Sequence, residues 1–393
     1  MSEAEPAGDR ILCLNAGSSS LKFALFQCSG EREEALATGS VSGLGTPHAQ
    51  ASLAVSGQHS EASSKNDHAG ALAAAFELLD RGQLPRATLV GHRVVHGGAN
   101  HVQPALIDAA LIASLNALVP LAPLHLPAAL AGIEAASKQL PGLPQVACFD
   151  TSFHASMPEL AKRLPLPAAL SDSGIRRYGF HGLSYEYVLS TLGATLPARV
   201  VIAHLGNGSS LVAIKNGRSI DTTMGFTPGG GIMMGTRSGD VDPGVILYLL
   251  REKQYSANAV EQALERESGL LGVGGASDMK TLVERAPTDP RARLAVSLFA
   301  YSVRKAIGGY MAALGGLDLL VFTGGIGEHT PVVREEACAG LEALGIELDP
   351  AQNARNSGVI STERSACRVR VIATDEDKMV ARHTRSVVRS RGV

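Results

Sequence analysis

Two apolar runs, ILCL at 11–14 and LKFALF at 21–26, flank a polar turn of sequence NAGSSS. Short apolar runs bounded by turn residues read as strands. The same reading predicts strands at 88–91, 145–149, 200–205, 211–214, 317–322 and 369–373. Apolar positions recurring at helical spacing predict helices over 69–80, 105–118, 127–138, 184–192, 245–253, 258–266, 290–313 and 331–343. Strands alternating with helices point to the α/β class. The Ser-, His- and Gly-rich stretch 45–68 reads as a polar hairpin or exposed loop. RHTRSVVRSR near the C-terminus reads as a solvated helix end or tail.

NAGSSS is longer than a two-residue hairpin requires. It offers several backbone N–H groups and hydroxyls without bulk, which suits an anion such as phosphate; an ordinary polar loop would use the same residues. The form recurs at 200–214, VVIAHLGNGSSLVAI, where LGNGSSL matches LNAGSSSL once one residue is skipped. Two strand–turn–strand units, one per half, predict two domains of like topology facing each other, with a ligand in the cleft between them. One polyphosphate held by both turns would account for the pair, and chance likeness of two Gly/Ser hairpins is the alternative. A third glycine element, TGGIGEHT at 323–330, follows the run LDLLVF and leads into a helix near Pro331. Small residues at such a junction let another group approach the backbone. Neither GxxxxGK[ST] nor GxGxxG occurs, which disfavours the usual nucleotide-loop and dinucleotide folds.

Length and composition narrow the class further. The 393 residues suit about two domains of roughly 100–200 residues each. With 45% hydrophobic and 18% charged residues the chain can bury substantial cores. Lys plus Arg number 35 against 37 Asp plus Glu, a net charge of −2, so neither nucleic acid nor an anionic membrane is favoured as a partner. The opening MSEAEPAGDR is acidic and lacks the apolar core of a signal peptide. The longest apolar region, 105–133, is broken by Asp108, Asn116, three prolines and His125, too often to span a bilayer. Cysteines 13, 28, 148, 338 and 367 include no CxxC pair and read as buried thiols of a reducing cytosol. His92 and His96 have a spacing that could serve zinc on a helix, but HExxH is absent and Val94–Val95 favour a strand.

Four stretches carry more reactive groups than loops need. GHRVVHGG holds Arg93, CFDTSFH places Asp150 after a strand, RRYGFHG sets His181 among glycines, and MMGTRSGDVDPG holds Arg237 beside Asp240 and Asp242. Phosphoryl transfer needs cations around the moving group and a metal on the nucleotide more than covalent help. The donor fork of arginine fits phosphate and carboxylate oxygens.

Taken in order from about residue 11 to 382, NAGSSSLKF, GHRVVHGG, FDTSFH, RRYGFHG, HLGNGSS, FTP…MMGTRSGDVDP, SDMK, FTGGIGE and ATDED resemble the successive signatures of the acetate kinase family, within the sugar kinase, actin and heat-shock ATPase group. The resemblance implies two actin-like, ribonuclease H-like α/β domains with mixed sheets flanked by helices. Their bounds would be 1–149 plus 377–393, and 150–376. It implies reversible phosphoryl transfer from ATP to acetate giving acetyl phosphate and ADP, with Mg²⁺ or Mn²⁺ in its place, by a cytoplasmic homodimer. By position, Asn15 and Glu376 would serve the metal and Lys22 the nucleotide phosphates. His204, Leu205, Gly206, Asn207 and Gly208 would follow the phosphate chain. Asp278, Met279 and Lys280, with Gly325, Ile326, Gly327, Glu328 and His329, would hold the nucleoside. Arg93 would bind the carboxylate, His181 and Arg237 would stabilise the transferring group, and Asp150 would be the active-site acid. A carboxylate substrate is already ionised at neutral pH, so orienting an arginine or the metal's waters suits Asp150 better than base catalysis. Val95, Leu124, Phe180 and Pro228 would form the acyl pocket.

Several departures from the family pattern would lie near that pocket or in dimer-facing segments. PLHNP reads PLHLP with Leu126, HGTSH reads HGLSY with Leu183 and Tyr185, and TPLEG reads TPGGG with Gly229 and Gly230. TNEE reads TDED with Asp375, and GEN reads GEH. Gly229 and Gly230 should make the loop beside Pro228 lighter and more mobile. A propionate or other short-chain carboxylate kinase is the nearest alternative. A non-catalytic actin-like nucleotide switch is the alternative from another class, and it would have no need of Arg93, His181 and Arg237 together.

Overall fold

A computed structural model describes residues 8–30, 32–55 and 57–392; the acidic opening MSEAEPA lies outside the described residues. They form two compact units. One comprises residues up to Ser152, Gly182–Tyr187 and Asp375 onward; the other comprises Phe153–His181 and Val188–Thr374. Among the described residues no helix is long and apolar enough to cross a membrane.

The first unit is built on β1 (Asp9–Ala16), β2 (Ser20–Ser29), β3 (Arg32–Ser42), β4 (Gln50–Val55), β5 (Gln58–Ser63), β6 (Leu89–Val94), β7 (Ala105–Leu106) and β8 (Gln145–Phe149). Among the described residues these form one sheet in the order β5-β4-β3-β2-β1-β6-β8-β7. β1 runs antiparallel to β2 and parallel to β6, and β6 runs parallel to β8. Side chains alternate across a strand, and both faces here are covered. Leu12, Leu14, Phe23 and Leu25 enter the core beneath helices His68–Arg81 and Leu126–Gln139. Ile11, Cys13, Ala24 and Phe26 enter the core beneath helix Glu376–Arg391.

The second unit has β9 (Arg199–Leu205), β10 (Ser209–Lys215), β11 (Arg218–Thr222), β12 (Leu319–Thr323) and β13 (Arg368–Val371), in the order β11-β10-β9-β12-β13. Helix Pro290–Leu314 starts where Asp289 accepts hydrogen bonds from Arg291 N and Ala292 N, and it buries Val296, Phe299, Val303 and Ile307. These meet Val201 and Ala203 of β9 and Leu320 and Phe322 of β12. The run β3-β2-β1-β6-β8 repeats as β11-β10-β9-β12-β13: a meander, then two parallel strands added beside the first. The doubled sequence signature therefore marks a doubled topology.

The structure changes two expectations, meets a third in part and adds one strand. The helix expected over 105–118 begins only at Ala109, because Ala105–Leu106 pair with β8 and Asp108 caps Leu111 N at 2.7 Å. The stretch 45–68 is the hairpin β4–β5, and it is partly buried: Ala51 and Leu53 enter the core. β3 carries little apolar pattern, since only Ala37 and Val41 along it are buried, and the sequence does not announce it. RHTRSVVRSR is a packed helix rather than a solvated end. Thr384, Arg385 and Val388 are buried, and Arg385 bonds Asp9 Oδ2 at 3.0 Å and the carbonyl of Gly30. Its arginines reach the flanks of the sheet while the apolar side covers it.

Two buried histidines make the units sensitive to acid. His92 Nε2 lies 2.7 Å from Gln145 Oε1, and burial pulls its pKa down to about 4. His154 sits between Ser219 Oγ (2.9 Å) and the carbonyl of Phe180 (3.0 Å), and burial likewise pulls it down to about 4. Between the ordinary value of 6.5 and about 4 the unfolded chain takes up protons that these folded rings refuse. Stability therefore falls as pH falls through that window, by on the order of 1–3 kcal/mol per ring. The thermal midpoint should drop from pH 6.5 to 4, and His154→Gln should flatten that slope; an unchanged slope in the variant contradicts the assignment.

Candidate active site

In the first unit three segments distant in sequence meet on one guanidinium. Arg93 leaves the end of β6, Asp150 follows β8, and Glu376 opens the C-terminal helix. Arg93 Nε and Nη2 donate to Asp150 Oδ1 and Oδ2 at 3.0 and 2.8 Å, a fork-to-fork pair, while Nη1 meets Glu376 Oε2 at 2.8 Å. Burial opposes the charge on Arg93, but Asp150 and Glu376 outweigh it and raise its pKa. Glu376 Oε1 is buried with no hydrogen-bond partner. Asp377 beside it is pushed up to about 6 by burial, then by Glu376 and Asp375. Asn15 and Lys22 are cross-strand partners at the β1–β2 turn, Asn15 half-buried and Lys22 exposed.

In the second unit a second set gathers around the β9–β10 turn. His181 holds a left-handed conformation (φ 59°, ψ 23°), which costs a non-glycine residue energy and here opens helix Gly182–Leu192. Its Nδ1 lies 2.8 Å from Ser210 Oγ, and its ring stacks on His204 with centroids 4.3 Å apart. A Cβ placed on Gly208 would stand 3.4 Å from His181 Nε2 and 3.6 Å from Arg237 Nη1, so both groups border the same glycine. Arg237 Nη1 donates to the carbonyl of Pro228 at 3.1 Å, and Nε lies 3.6 Å from Glu265 Oε2. Burial lowers the pKa of Arg237, and the charge of Glu265 opposes that shift. A buried cation beside an imidazole and a glycine turn is a place for an anion.

The turn itself is tightly built. Gly206 N bonds Ser209 Oγ at 3.1 Å, and Gly235 N bonds the carbonyl of Asn207 at 3.0 Å. Leu205 closes β9 in the core. Glycine is required at 324, which has φ +77° and would put a Cβ 2.7 Å from the carbonyl of Leu205. The helix Gly324–His329 follows: Gly325 borders open space, Ile326 and Gly327 are buried, and His329 is exposed. Glu328 turns back to accept from Gly324 N (2.9 Å) and Thr374 N (3.1 Å). Asp278 caps its own helix by accepting from Thr281 N at 2.9 Å, Lys280 is exposed, and Met279 points into the core, leaving only its backbone for a ligand.

Of the acyl residues, Val95 and Leu124 are half-buried in the first unit, while Phe180 and Pro228 are buried in the second. Gly229 and Gly230 belong to a bonded loop, with Gly229 N on Thr227 Oγ1 (3.2 Å) and Gly231 N on Asp240 Oδ1 (2.7 Å). Ser210, Glu265, Asp377 and His154 were not singled out in the sequence. Ser210 stood inside a quoted motif and Asp377 beside Glu376, but Glu265 lies in an ordinary helical pattern with no local signal.

Comparison with known proteins agrees with this chemistry. The Acetokinase family matches residues 10–382. An acetate kinase of Rhodopseudomonas palustris is 47% identical over 396 residues, covering 95% of this chain and 97% of that protein. Among solved structures, Porphyromonas gingivalis acetate kinase is 38% identical with a TM-score of 0.88, covering 97% of this chain and 100% of that one. A propionate kinase from Francisella tularensis is 36% identical with a TM-score of 0.92, covering 96% and 100%. The arginine held by two carboxylates, the histidine–arginine pair around Gly208 and the doubled sheet thus sit in a chain that matches a family of kinases along nearly its whole length, and it belongs to the Acetokinase family.

Proposed function

We propose that this chain catalyses reversible phosphoryl transfer from ATP to acetate, giving acetyl phosphate and ADP, as a cytoplasmic homodimer. The observation that carries the reading is the buried guanidinium of Arg237 beside His181, both bordering Gly208 of the glycine turn, which suits a phosphoryl group whose charge is spread over its equatorial oxygens. An acetate oxygen forms the new bond to the γ-phosphorus while the bond to the bridging oxygen of ADP breaks. Acetate is ionised at neutral pH, so no base is needed. The fork from Asp150 and the contact with Glu376 occupy three of the five N–H donors of Arg93, and the other two serve the acceptor carboxylate. Asp150 then acts by orienting Arg93.

The donor set of the first unit fits Mg²⁺. Glu376 Oε1 is a buried carboxylate oxygen without a partner, and Asn15 offers a neutral oxygen at the strand end. Mg²⁺ is commonly held by one or two carboxylates, waters and substrate phosphates. When bound it would neutralise charge on the nucleotide phosphates. Lys22, the turn His204–Gly208, Asp278–Lys280 and Gly325–His329 are assigned to ATP, and Val95, Leu124, Phe180 and Pro228 to the acyl group.

The homodimer is supported by helix Pro243–Arg251, of sequence PGVILYLLR, which buries none of its residues. Leu247 and Tyr248 are 45% and 52% exposed, and Leu294, Leu298 and Tyr301 of the long helix are exposed too. Apolar surface of this kind marks a partner site. A second copy of the chain is the occupant assigned here. Light scattering should give twice the chain mass, and Leu247→Glu with Tyr248→Glu should shift it to the monomer; an unchanged mass contradicts that assignment.

Activity on ATP with formate, acetate, propionate and butyrate, trapped as hydroxamates, tests the reaction. Acetate should be used best and propionate within about one to two orders of magnitude in kcat/KM. Val95→Ala should raise the propionate-to-acetate ratio. Transfer to none of the four acids overturns the reading.

Arg93→Lys and Arg237→Lys should each cut kcat by about 10³-fold or more, because a point charge cannot reproduce two-point contact. Circular dichroism should show both variants folded. Near-normal turnover in the Arg237→Lys protein would mean that charge alone suffices there.

A further inference from the structure

Glu265 closes helix Ala257–Glu265, and that helix end is stitched to both neighbours of Arg237. Thr236 Oγ1 donates to the carbonyl of Glu265 at 3.0 Å, Ser238 N to the carbonyl of Leu264 at 3.0 Å, and Ser268 N to the carbonyl of Thr236 at 3.0 Å. The backbones carrying the carboxylate and the guanidinium therefore hold a set register. Within it, Glu265 Oε2 lies 3.6 Å from Arg237 Nε, with both side chains mostly buried. That distance is too long for a hydrogen bond, so the carboxylate restrains the cation by charge without consuming a donor. The carbonyl of Pro228 fixes the other end of the guanidinium, at Nη1.

Gly229, next in the chain to Pro228, supplies the second observation. Its φ does not lie in the left-handed region, so glycine is not needed there for backbone conformation. What it leaves is space: a Cβ at 229 would stand 1.9 Å from Glu265 Oε1 and 2.9 Å from its Cδ. The carboxylate of Glu265 occupies the volume that any side chain at 229 would take. The gap left by Gly229 is thus filled by a charge aimed at the arginine.

We propose that Glu265 is a positioning residue for Arg237, and that Gly229 admits its carboxylate to that position. The inference rests on the reading of Arg237 as the cation of the transferring phosphoryl group. A carboxylate at 3.6 Å holds the guanidinium in one orientation while leaving most of its charge for the phosphoryl oxygens. An exposed ion pair would contribute little; here burial makes the pair matter for orientation.

A double-mutant cycle on the full-length enzyme, with ATP and acetate, tests it. Glu265→Ala should lower kcat about tenfold with the KM for acetate within about twofold, the pattern of an interaction used in the transition state. Glu265→Gln, which keeps the shape and removes the charge, should lose as much. Gly229→Leu should match them by evicting the carboxylate, and Gly229→Leu combined with Glu265→Ala should be no worse than either alone. Thermal midpoints within a few degrees of the parent separate this from misfolding, and Gly229→Ala replaces the Leu variant if that does not fold. Wild-type kcat in Glu265→Ala or Glu265→Gln, or multiplied losses in the double variant, overturns the inference. A parent enzyme inactive on acetate would instead remove the reading of Arg237 on which it rests.

Discussion

The Arg93 ion cluster is the constraint on which the first unit's geometry depends at the ends of β6 and β8. A guanidinium 16% exposed is gripped by Asp150, 1% exposed, and by Glu376, so the ends of two parallel strands and the start of the C-terminal helix are tied to one point. Taking such charges out of water is costly, and removing one partner from a buried pair typically costs about 3–5 kcal/mol. The cluster therefore contributes less to net stability than its Coulomb energy suggests, and more to geometry. It also leaves one buried carboxylate oxygen, Glu376 Oε1, without a hydrogen-bond partner.

The second unit handles charge in the opposite way. Arg237 is buried, its Nη1 donates to the carbonyl of Pro228 at 3.1 Å, its Nε lies 3.6 Å from Glu265 Oε2, and burial depresses its pKa. His181 is held in a left-handed conformation beside it by its contact with Ser210, by stacking on His204, and by the helix it opens. One unit presents an arginine gripped by two carboxylates, and the other a buried arginine bordering a glycine turn. Preorganised charge of this kind is what phosphoryl transfer asks of a protein.

One further buried arginine is satisfied locally. Arg334, fully buried, is met by Asn353, Asn356 and the carbonyls of Gly327 and Glu328. It anchors the end of the glycine helix just as Glu328 anchors its start. This glycine helix is held at both ends by hydrogen bonds and not by side-chain bulk, which leaves Gly325 bordering open space.

The amino-acid order by itself determined the α/β class, the strands that bury both faces, the duplicated strand–turn–strand unit and the motifs that carry Arg93, Asp150, His181 and Arg237. These were legible because periodicity and turn chemistry are local, and because long motifs are specific. Tertiary structure alone decided the rest. β3 could not be read because its position comes from pairing with β2 and not from its own apolar pattern. The basic C-terminal segment looked solvated because a sheet beneath one side of a helix is invisible in the helix's own composition. Glu265 gave no signal because a carboxylate in a helical pattern acquires meaning only when a distant glycine leaves it room beside an arginine. Contacts between residues far apart in sequence depend on how the chain packs, and packing is a property of the whole fold.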